Sequence, residues 1–304
     1  MAIRSIFEGL EEFSTAVKWA ETFFDHPPTQ SRYYTYLKVL RELAENAKNG
    51  PETGAKIPVS LVLESSLQAT ILIRLYRSFS RATPPVCFGA VFRKAYFGPI
   101  LATDENPENN SNSARNFEFE LFMASLVADP TKIDFSNNDF QIGLSKYKLG
   151  IECKRIHSLE RVLRLFKNAC KQIEDTASIE HGLVALRIDK FFYPMTTPIE
   201  SSKIEPLADH FLSPVSENQA SNAVVFQTEA FRAQYGEAFE KVVTGRFPKV
   251  CGICIVSILP GFIPQTNTPF TPIQFNFSWF SKGRPHAEAV VKEFMSCLTP
   301  AAEL

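Results

Sequence analysis

The run VCGICIVSIL, residues 250–259, is the longest apolar stretch of the chain and is rich in β-branched side chains. It is about half as long as the roughly 20 residues that a membrane-spanning helix needs, so it predicts a strand buried on both faces. Such a strand requires other elements to cover it on both sides. With 304 residues, of which 45% are apolar, the chain is large enough to provide them.

The first hundred residues have the apolar spacing of helices, whereas helices and strands alternate in the rest of the chain. Residues 84–101 fit neither pattern. The predicted helices are 5–24, 31–50, 59–82, 117–128, 158–177, 222–245 and 286–298, and the predicted strands are 132–136, 139–144, 149–156, 181–190, 250–260 and 272–280. This order predicts an α/β fold with a mixed sheet flanked by helices, preceded by a mostly helical N-terminal region.

A polar, asparagine-rich segment separates these two regions. The residues TDENPENNSNSARN, 103–116, contain almost no apolar side chain and predict a linker or exposed loop. We therefore expect a helical domain at 1–104 and a second domain at 112–304. The first would recognise a substrate, mediate homo-oligomerisation or dock a partner protein. Residues 191–220, rich in proline and serine, predict a second long loop.

The stretch GIECKRI, residues 150–156, places two charged residues inside an apolar strand. Residues two apart in a strand point to the same face, so Glu152 and Lys154 should lie side by side while Ile151 and Cys153 enter the core. Burying these charges costs several kcal/mol unless other groups compensate them. The pair could be a same-face ion pair, or it could belong to a functional site.

Further carboxylates precede the pair along the chain. Asp139 begins the other strand of the same predicted hairpin, and Glu118 and Glu120 lie in the helix before it. Oxygen ligands gathered from these elements would suit a hard cation such as Mg²⁺, which Mn²⁺ could replace. A lysine beside such an ion could orient or help to deprotonate a bound water and stabilise developing negative charge.

A helix with Glu, then Asp, then a strand with E-x-K, then a basic helix resembles the PD-(D/E)XK nuclease superfamily of restriction endonucleases and Holliday-junction resolvases. The matching residues are Asp139, Glu152 and Lys154, and the resemblance covers about residues 115–190. Asn137-Asn138 stands where many members have a proline. Asp134 is an alternative to Asp139, although Asp139 begins the strand that should pair with GIECKRI.

The resemblance implies a restriction-endonuclease-like sheet and a Mg²⁺-dependent phosphodiesterase. Its metal ligands would be Glu120, Asp139 and Glu152, with Glu118 as the alternative to Glu120. Lys154 would be the catalytic lysine. The same four positions, Glu120, Asp139, Glu152 and Lys154, are thus the expected catalytic set.

The predicted helix after the motif carries basic residues at steps of three and four, which would form one face. Because the formal net charge is −1, an anionic partner has to meet a local basic patch of this kind. Phosphate contacts supply most nucleic-acid affinity without reading sequence. The expected nucleic-acid-binding residues are Arg155, His157, Arg161, Arg164, Lys167 and Lys171.

The sequence thus leads us to expect a DNA endonuclease, of the kind used in restriction or anti-phage defence. Two alternatives are an inactive nuclease-fold subunit that binds nucleic acid or a partner protein, and an RNA-cleaving relative. Acidic residues occupy the N-terminal stretch where a signal peptide would be apolar, so we expect a cytoplasmic protein without membrane association.

Overall fold

The computed structural model describes residues 6–26, 28, 31–49, 57–85, 87–101, 104, 113–188, 217–258, 261–263, 268–271 and 273–299. The helices there are α1 (Ile6–Glu21), α2 (Arg32–Asn49), α3 (Val59–Phe79), α4 (Phe88–Tyr96), α5 (Ser113–Ser125), α6 (Val162–Asp175), α7 (Glu217–Val243) and α8 (Ala287–Ser296). The strands are β1 (Ile133–Asp134), β2 (Phe140–Gly143), β3 (Lys148–Arg155), β4 (His181–Arg187), β5 (Val250–Ile258), β6 (Gly261–Ile263), β7 (Thr268–Phe270) and β8 (Ile273–Trp279).

Six strands form a mixed sheet in the order β1-β2-β3-β4-β5-β8, and β6 pairs with β7 separately. The central strands β3, β4 and β5 run parallel, whereas β1, β2 and β8 join the sheet in antiparallel orientation. Helices that pack against the sheet cover the parallel strands, as parallel sheets require. The predicted α/β fold with a mixed sheet and a helical N-terminal region is therefore confirmed.

The two faces of the sheet belong to two hydrophobic clusters. On one face, Leu149 and Ile151 of β3 join buried residues of α1–α5, so the helical region and the sheet share this core. On the other face, Val184 and Leu186 of β4 pack with α6 and α7. Every residue of β5 is buried, which confirms the strand predicted from the apolar run at 250–259.

The predicted elements differ from the structure mainly at their ends. The ambiguous segment 84–101 contains helix α4. Cys87, the residue before this helix, has a left-handed backbone conformation with φ of 63°. Helix α7 begins at Glu217, inside the segment expected to be loop. Most of the predicted linker 103–116 and of the predicted loop 191–220 lies outside the described residues, as does the domain boundary.

No helix among the described residues combines the length and apolarity needed to cross a membrane.

Candidate active site

The β2–β3 hairpin brings the acidic and basic residues of the motif together. Its antiparallel register pairs Phe140 with Ile151, so Asp139, the residue before β2, reaches the part of β3 that carries Glu152 and Lys154. Ile151 and Cys153 enter the core on the opposite face, which confirms the predicted alternation of the strand. Adjacent strands thus gather Asp139, Glu152 and Lys154, as the sequence leads one to expect.

The ammonium group of Lys154 links the two carboxylates. Its Nζ donates to Glu152 Oε2 at 2.8 Å and lies 3.5 Å from Asp139 Oδ2. Asp139 Oδ2 also accepts the backbone N–H of Cys153 at 2.5 Å. The side chain of Glu152 is 1% exposed, whereas those of Lys154 and Asp139 are 19% and 17% exposed. Solvent, and solutes dissolved in it, can therefore reach the lysine and Asp139.

Helix α5 adds Glu120 to this group. Burial and then the negative charge of Asp139 raise the pKa of the Glu120 carboxyl to about 9, although Lys154 partly offsets them. Burial also raises the pKa of Asp139 to about 6, with Lys154 opposing the shift and Glu152 adding to it. Burial alone would lower the pKa of Lys154, but Asp139 and Glu152 outweigh it and raise that pKa. Asp139 and Glu152 therefore carry more negative charge than one ammonium group neutralises, and Glu120 keeps its proton beside them.

Glu118, the alternative to Glu120, lies in a different environment. Residues 118 and 120 are about 200° apart around a helix, so they point to opposite sides. Glu118 is fully buried and pairs with Arg32 of α2, while Gln68 of α3 donates to its Oε1 at 3.1 Å. Burial would raise the pKa of Glu118, but Arg32, Arg115 and Arg187 outweigh burial and lower it. Glu120, not Glu118, is the α5 glutamate beside Asp139 and Lys154.

Asp134, the alternative to Asp139, is held in its own turn. Its Oδ1 accepts the backbone N–H of Ser136 at 2.8 Å and the Ser136 hydroxyl at 2.6 Å. The described contacts therefore place Asp139 beside Lys154, and Asp134 in a turn that precedes β2. Whether Asp139 and Glu152 bind a metal ion stays a prediction.

The expectation that Arg155 belongs to an exposed basic surface is wrong. Arg155 follows Lys154 in β3, and successive strand residues point to opposite faces, so Arg155 lies on the α5 side of the sheet. It is 7% exposed, and its charge acts on Glu118. His157, just beyond the strand, is half-buried.

The basic residues of α6 are exposed, but they face away from the sheet. The buried side of α6 consists of Val162, Phe166, Ala169, Cys170 and Ile173. The exposed basic residues on the other side are Arg161, Arg164, Lys167 and Lys171.

Arg161 immediately precedes α6 and Arg164 lies in its first turn. Lys171 lies seven residues beyond Arg164, which is about 10 Å further along the helix. Contact of these residues with nucleic acid stays a prediction.

Four polar residues near the motif were not identified from the sequence. Asn138, Gln141 and Ser178 form a hydrogen-bonded chain that reaches Glu152. Lys94 of α4 is exposed, lies 4.9 Å above the Phe117 ring and lowers the pKa of Glu120. The sequence marks Asn138 only as standing where the motif has a proline and gives it no role, and Lys94 had no signal in the sequence.

Asp139 and Glu152 are the carboxylates in contact with Lys154 and therefore the nearest candidate donors for a divalent ion. Within the described residues, no group of three or more His, Cys, Asp or Glu side chains is arranged to hold a metal ion. Mg²⁺, however, is usually held by one or two protein carboxylates and keeps waters or substrate phosphate in its other positions. Asp139 and Glu152, which contact the same ammonium group, and the excess negative charge around them fit an ion of that kind.

No protein-family model, curated protein or solved structure matches the chain.

The raised pKa of Glu120 predicts that the metal-free protein loses stability as the pH rises. The folded state holds this proton up to about pH 9, whereas the unfolded state releases it near pH 4.5, so the folded state binds more protons in between. One pKa unit corresponds to about 1.4 kcal/mol, so the free energy of unfolding should fall by a few kcal/mol between about pH 5 and 9. Asp139 adds to this fall below about pH 6.

Replacing Glu120 by glutamine should remove most of this pH dependence and stabilise the metal-free protein at pH 8. Urea unfolding at several pH values in the presence of EDTA measures both effects. Glu229→Gln, at an exposed position of α7, is the matched control and should keep the wild-type pH dependence. An unchanged slope in Glu120→Gln would mean that Glu120 is ionised in the folded protein.

Proposed function

We propose that this chain is a metal-dependent phosphodiesterase with a restriction-endonuclease-like sheet, acting on DNA as an endonuclease. The observation that carries the proposal is the contact of one lysine with two carboxylates from adjacent strands. Lys154 Nζ lies 2.8 Å from Glu152 Oε2 and 3.5 Å from Asp139 Oδ2. A simple ion pair would need one acid, and the buried third acid, Glu120, makes the cluster less stable without a cation.

The proposed roles follow from exposure and charge. Asp139 and Glu152 would hold a Mg²⁺ ion, which Mn²⁺ could replace, and the charge of the bound ion would favour the ionised form of Glu120. The bound ion would polarise a phosphoryl oxygen and make a bound water more acidic. Lys154, partly exposed and held by both acids, would orient the attacking water and stabilise negative charge on the phosphate in the transition state.

The substrate would approach from the exposed side of Lys154. The exposed residues Arg161 and Arg164 would contact phosphates next to the scissile one, and Lys94 of α4, whose charge acts on Glu120, would supply a third cation. Such contacts position nucleic acid without reading its sequence. Restriction or anti-phage defence is the biological setting that we propose for such an enzyme.

A cleavage assay with the purified full chain tests the proposal. Supercoiled plasmid, linear duplex, single-stranded DNA and matched RNA are incubated with Mg²⁺, Mn²⁺ or EDTA. We expect the protein to nick or cut DNA with either ion and to leave it intact with EDTA. Asp139→Asn, which keeps the side-chain shape but weakens metal ligation, should lose this activity.

Asp134→Asn is the matched control. The described contacts of Asp134 are with Ser136 in its own turn, so this variant should keep wild-type activity. If the protein cleaved RNA and left all DNA substrates intact, its substrate would be RNA and not DNA. If binding of DNA were seen with no cleavage under any of these conditions, the protein would be an inactive nuclease-fold subunit. Equal cleavage by wild type and Asp139→Asn would point to a contaminating nuclease.

A further inference from the structure

Asn138 holds the carboxylate of Glu152 from the side opposite Lys154. Its Nδ2 donates to Glu152 Oε1 at 2.9 Å, while Lys154 Nζ donates to Oε2 at 2.8 Å. Asn138 has φ of 58°, a left-handed conformation that asparagine tolerates better than most residues. This turn directs the Asn138 side chain back towards β3, immediately before Asp139. Both oxygens of Glu152 are therefore fixed by donors from different elements.

The amide of Asn138 is itself oriented by a buried glutamine. Gln141 in β2 is fully buried, and its Nε2 donates to Asn138 Oδ1 at 3.3 Å and to the Ser178 hydroxyl at 3.0 Å. Because Gln141 presents a donor, the oxygen of the Asn138 amide has to face it. The Nδ2 group is then the one that faces Glu152.

Gly150 in β3 makes room for the Asn138 side chain. It lies two residues before Glu152, on the same face of the strand. A Cβ at position 150 would lie 2.5 Å from Ile179 Cδ1 and 3.1 Å from Asn138 Oδ1, closer than ordinary contacts. The glycine at the start of GIECKRI thus opens the space in which the Asn138 amide meets Glu152.

We propose that Asn138 is a positioning residue that fixes the carboxylate of Glu152 for a divalent metal ion, with Gln141 and Gly150 holding Asn138 in place. The proposal deepens the function proposed above and rests on it. Each carboxylate oxygen accepts two hydrogen bonds or ligands, so Asn138 occupies one position on Oε1 and leaves the other open. Residues that orient a metal ligand in this way typically change metal affinity 10- to 100-fold when they are removed.

Asn138→Gly tests the side chain without disturbing the turn, because glycine adopts φ near 58° at no steric cost. We expect Mn²⁺ affinity, measured on the full chain by electron paramagnetic resonance, to weaken about 10- to 100-fold. The melting temperature of the metal-free protein should fall by a few degrees, because Glu152 and Gln141 each lose a partly buried hydrogen bond. Asn137→Gly is the matched control, because Asn137 is exposed and its described side-chain contact is a 3.4 Å hydrogen bond to Ser136.

A variant that partly restores the donor separates positioning from a general structural role. Asn138→Ser keeps a short side chain that can donate and should recover part of the Mn²⁺ affinity that Asn138→Gly loses. If Asn138→Gly binds Mn²⁺ as tightly as wild type, the positioning role is overturned while the proposed function stands. The positioning role is also overturned if Asn137→Gly weakens Mn²⁺ binding as strongly as Asn138→Gly, because the cause would then be a general change of the turn before β2.

A second measurement does not depend on metal. In the metal-free protein, the side-chain amide resonances of Asn138, observed by ¹⁵N NMR, should shift strongly in Glu152→Ala and stay unchanged in Glu160→Ala, at an exposed position. Unshifted resonances in Glu152→Ala would show that the contact is absent. If wild type neither binds Mn²⁺ nor cleaves nucleic acid, the metal role falls together with the proposed function, and this measurement decides the contact alone.

Discussion

Replacing Lys154 by methionine should lower the rate of DNA cleavage about 10²- to 10⁴-fold at saturating Mg²⁺, the range expected when a group that transfers protons or stabilises charge is removed. Methionine keeps much of the length and apolar stem of lysine but has no charge. Lys154 Nζ contacts both Asp139 and Glu152, so the loss should appear in the chemical step. Single-turnover cleavage of a labelled duplex, with metal and enzyme in excess, measures that step.

Metal binding should respond in the opposite direction. The ammonium group of Lys154 competes with a cation for the same two carboxylates, so Mn²⁺ affinity in Lys154→Met should be equal to that of wild type or tighter. A slower cleavage rate with unchanged or tighter Mn²⁺ binding would identify a catalytic lysine, whereas a lysine that only stabilises the structure of the site would also be needed for Mn²⁺ binding. Lys154→Arg keeps the charge but replaces a compact ammonium group by a planar guanidinium, and we expect it to recover little of the rate.

Lys241→Met is the matched control, since Lys241 is exposed on α7 and pairs with Glu237 one turn away. It should cleave at the wild-type rate. A Lys154→Met protein that retains more than about a tenth of the wild-type rate would exclude a direct role of this lysine, because a catalytic group contributes at least about 10²-fold.

The hairpin could be predicted from the sequence because its signals are local. The period of two in GIECKRI decides which side chains share a face, and the asparagines at 137 and 138 mark the turn that precedes β2. These signals were enough to bring Asp139 to Glu152 and Lys154. The same period also places Arg155 on the opposite face, and the expectation that it was exposed overlooked this.

The remaining details of the site depend on contacts between distant parts of the chain. Helical periodicity separates Glu118 from Glu120, but it does not say which of them faces the hairpin. That choice is made by Arg32, 86 residues away from Glu118 in sequence. Likewise, the basic spacing in α6 defines a face, and the packing of Phe166 and Ala169 turns that face away from the sheet.

Polar support for the motif was also invisible in the sequence. Asn138, Gln141 and Ser178 are common polar residues whose significance lies only in their geometry around Glu152. A strand glycine such as Gly150 signals close approach of another group, but the sequence does not identify that group. The contact of Lys154 with Asp139 and Glu152 could thus be predicted from the sequence, whereas the polar support around it required the structure.

Replacing Glu118 by leucine should destabilise the protein by about 3–5 kcal/mol, the cost of removing one partner from a buried ion pair. Glu118 is fully buried, accepts hydrogen bonds from Arg32 and Gln68, and lies 3.8 Å from Arg187 Nη1. These residues come from α2, α3, α5 and β4, so the carboxylate joins the helical region to the sheet. Its loss would leave the buried charge of Arg32 without its carboxylate partner.

A double-mutant cycle isolates this interaction. Arg32→Met combined with Glu118→Leu should be less destabilised than the sum of the two single changes, because the double variant does not leave the charge of Arg32 buried without its carboxylate. Urea unfolding at pH 7 measures all four proteins. Additive changes would show that Arg32 and Glu118 do not interact in the folded state.

Glu120→Gln provides the comparison within the same helix. Glu118 and Glu120 are two residues apart in α5 and both are buried, yet their pKa values shift in opposite directions. Surplus positive charge surrounds Glu118, so its loss should destabilise the protein, whereas Glu120 meets other carboxylates and its neutralisation should stabilise the metal-free protein. Opposite signs of the two effects would show that α5 separates a structural ion pair from a site with excess negative charge. If both changes destabilise the protein to a similar degree, Glu120 belongs to the structural core and a cation is not needed beside it.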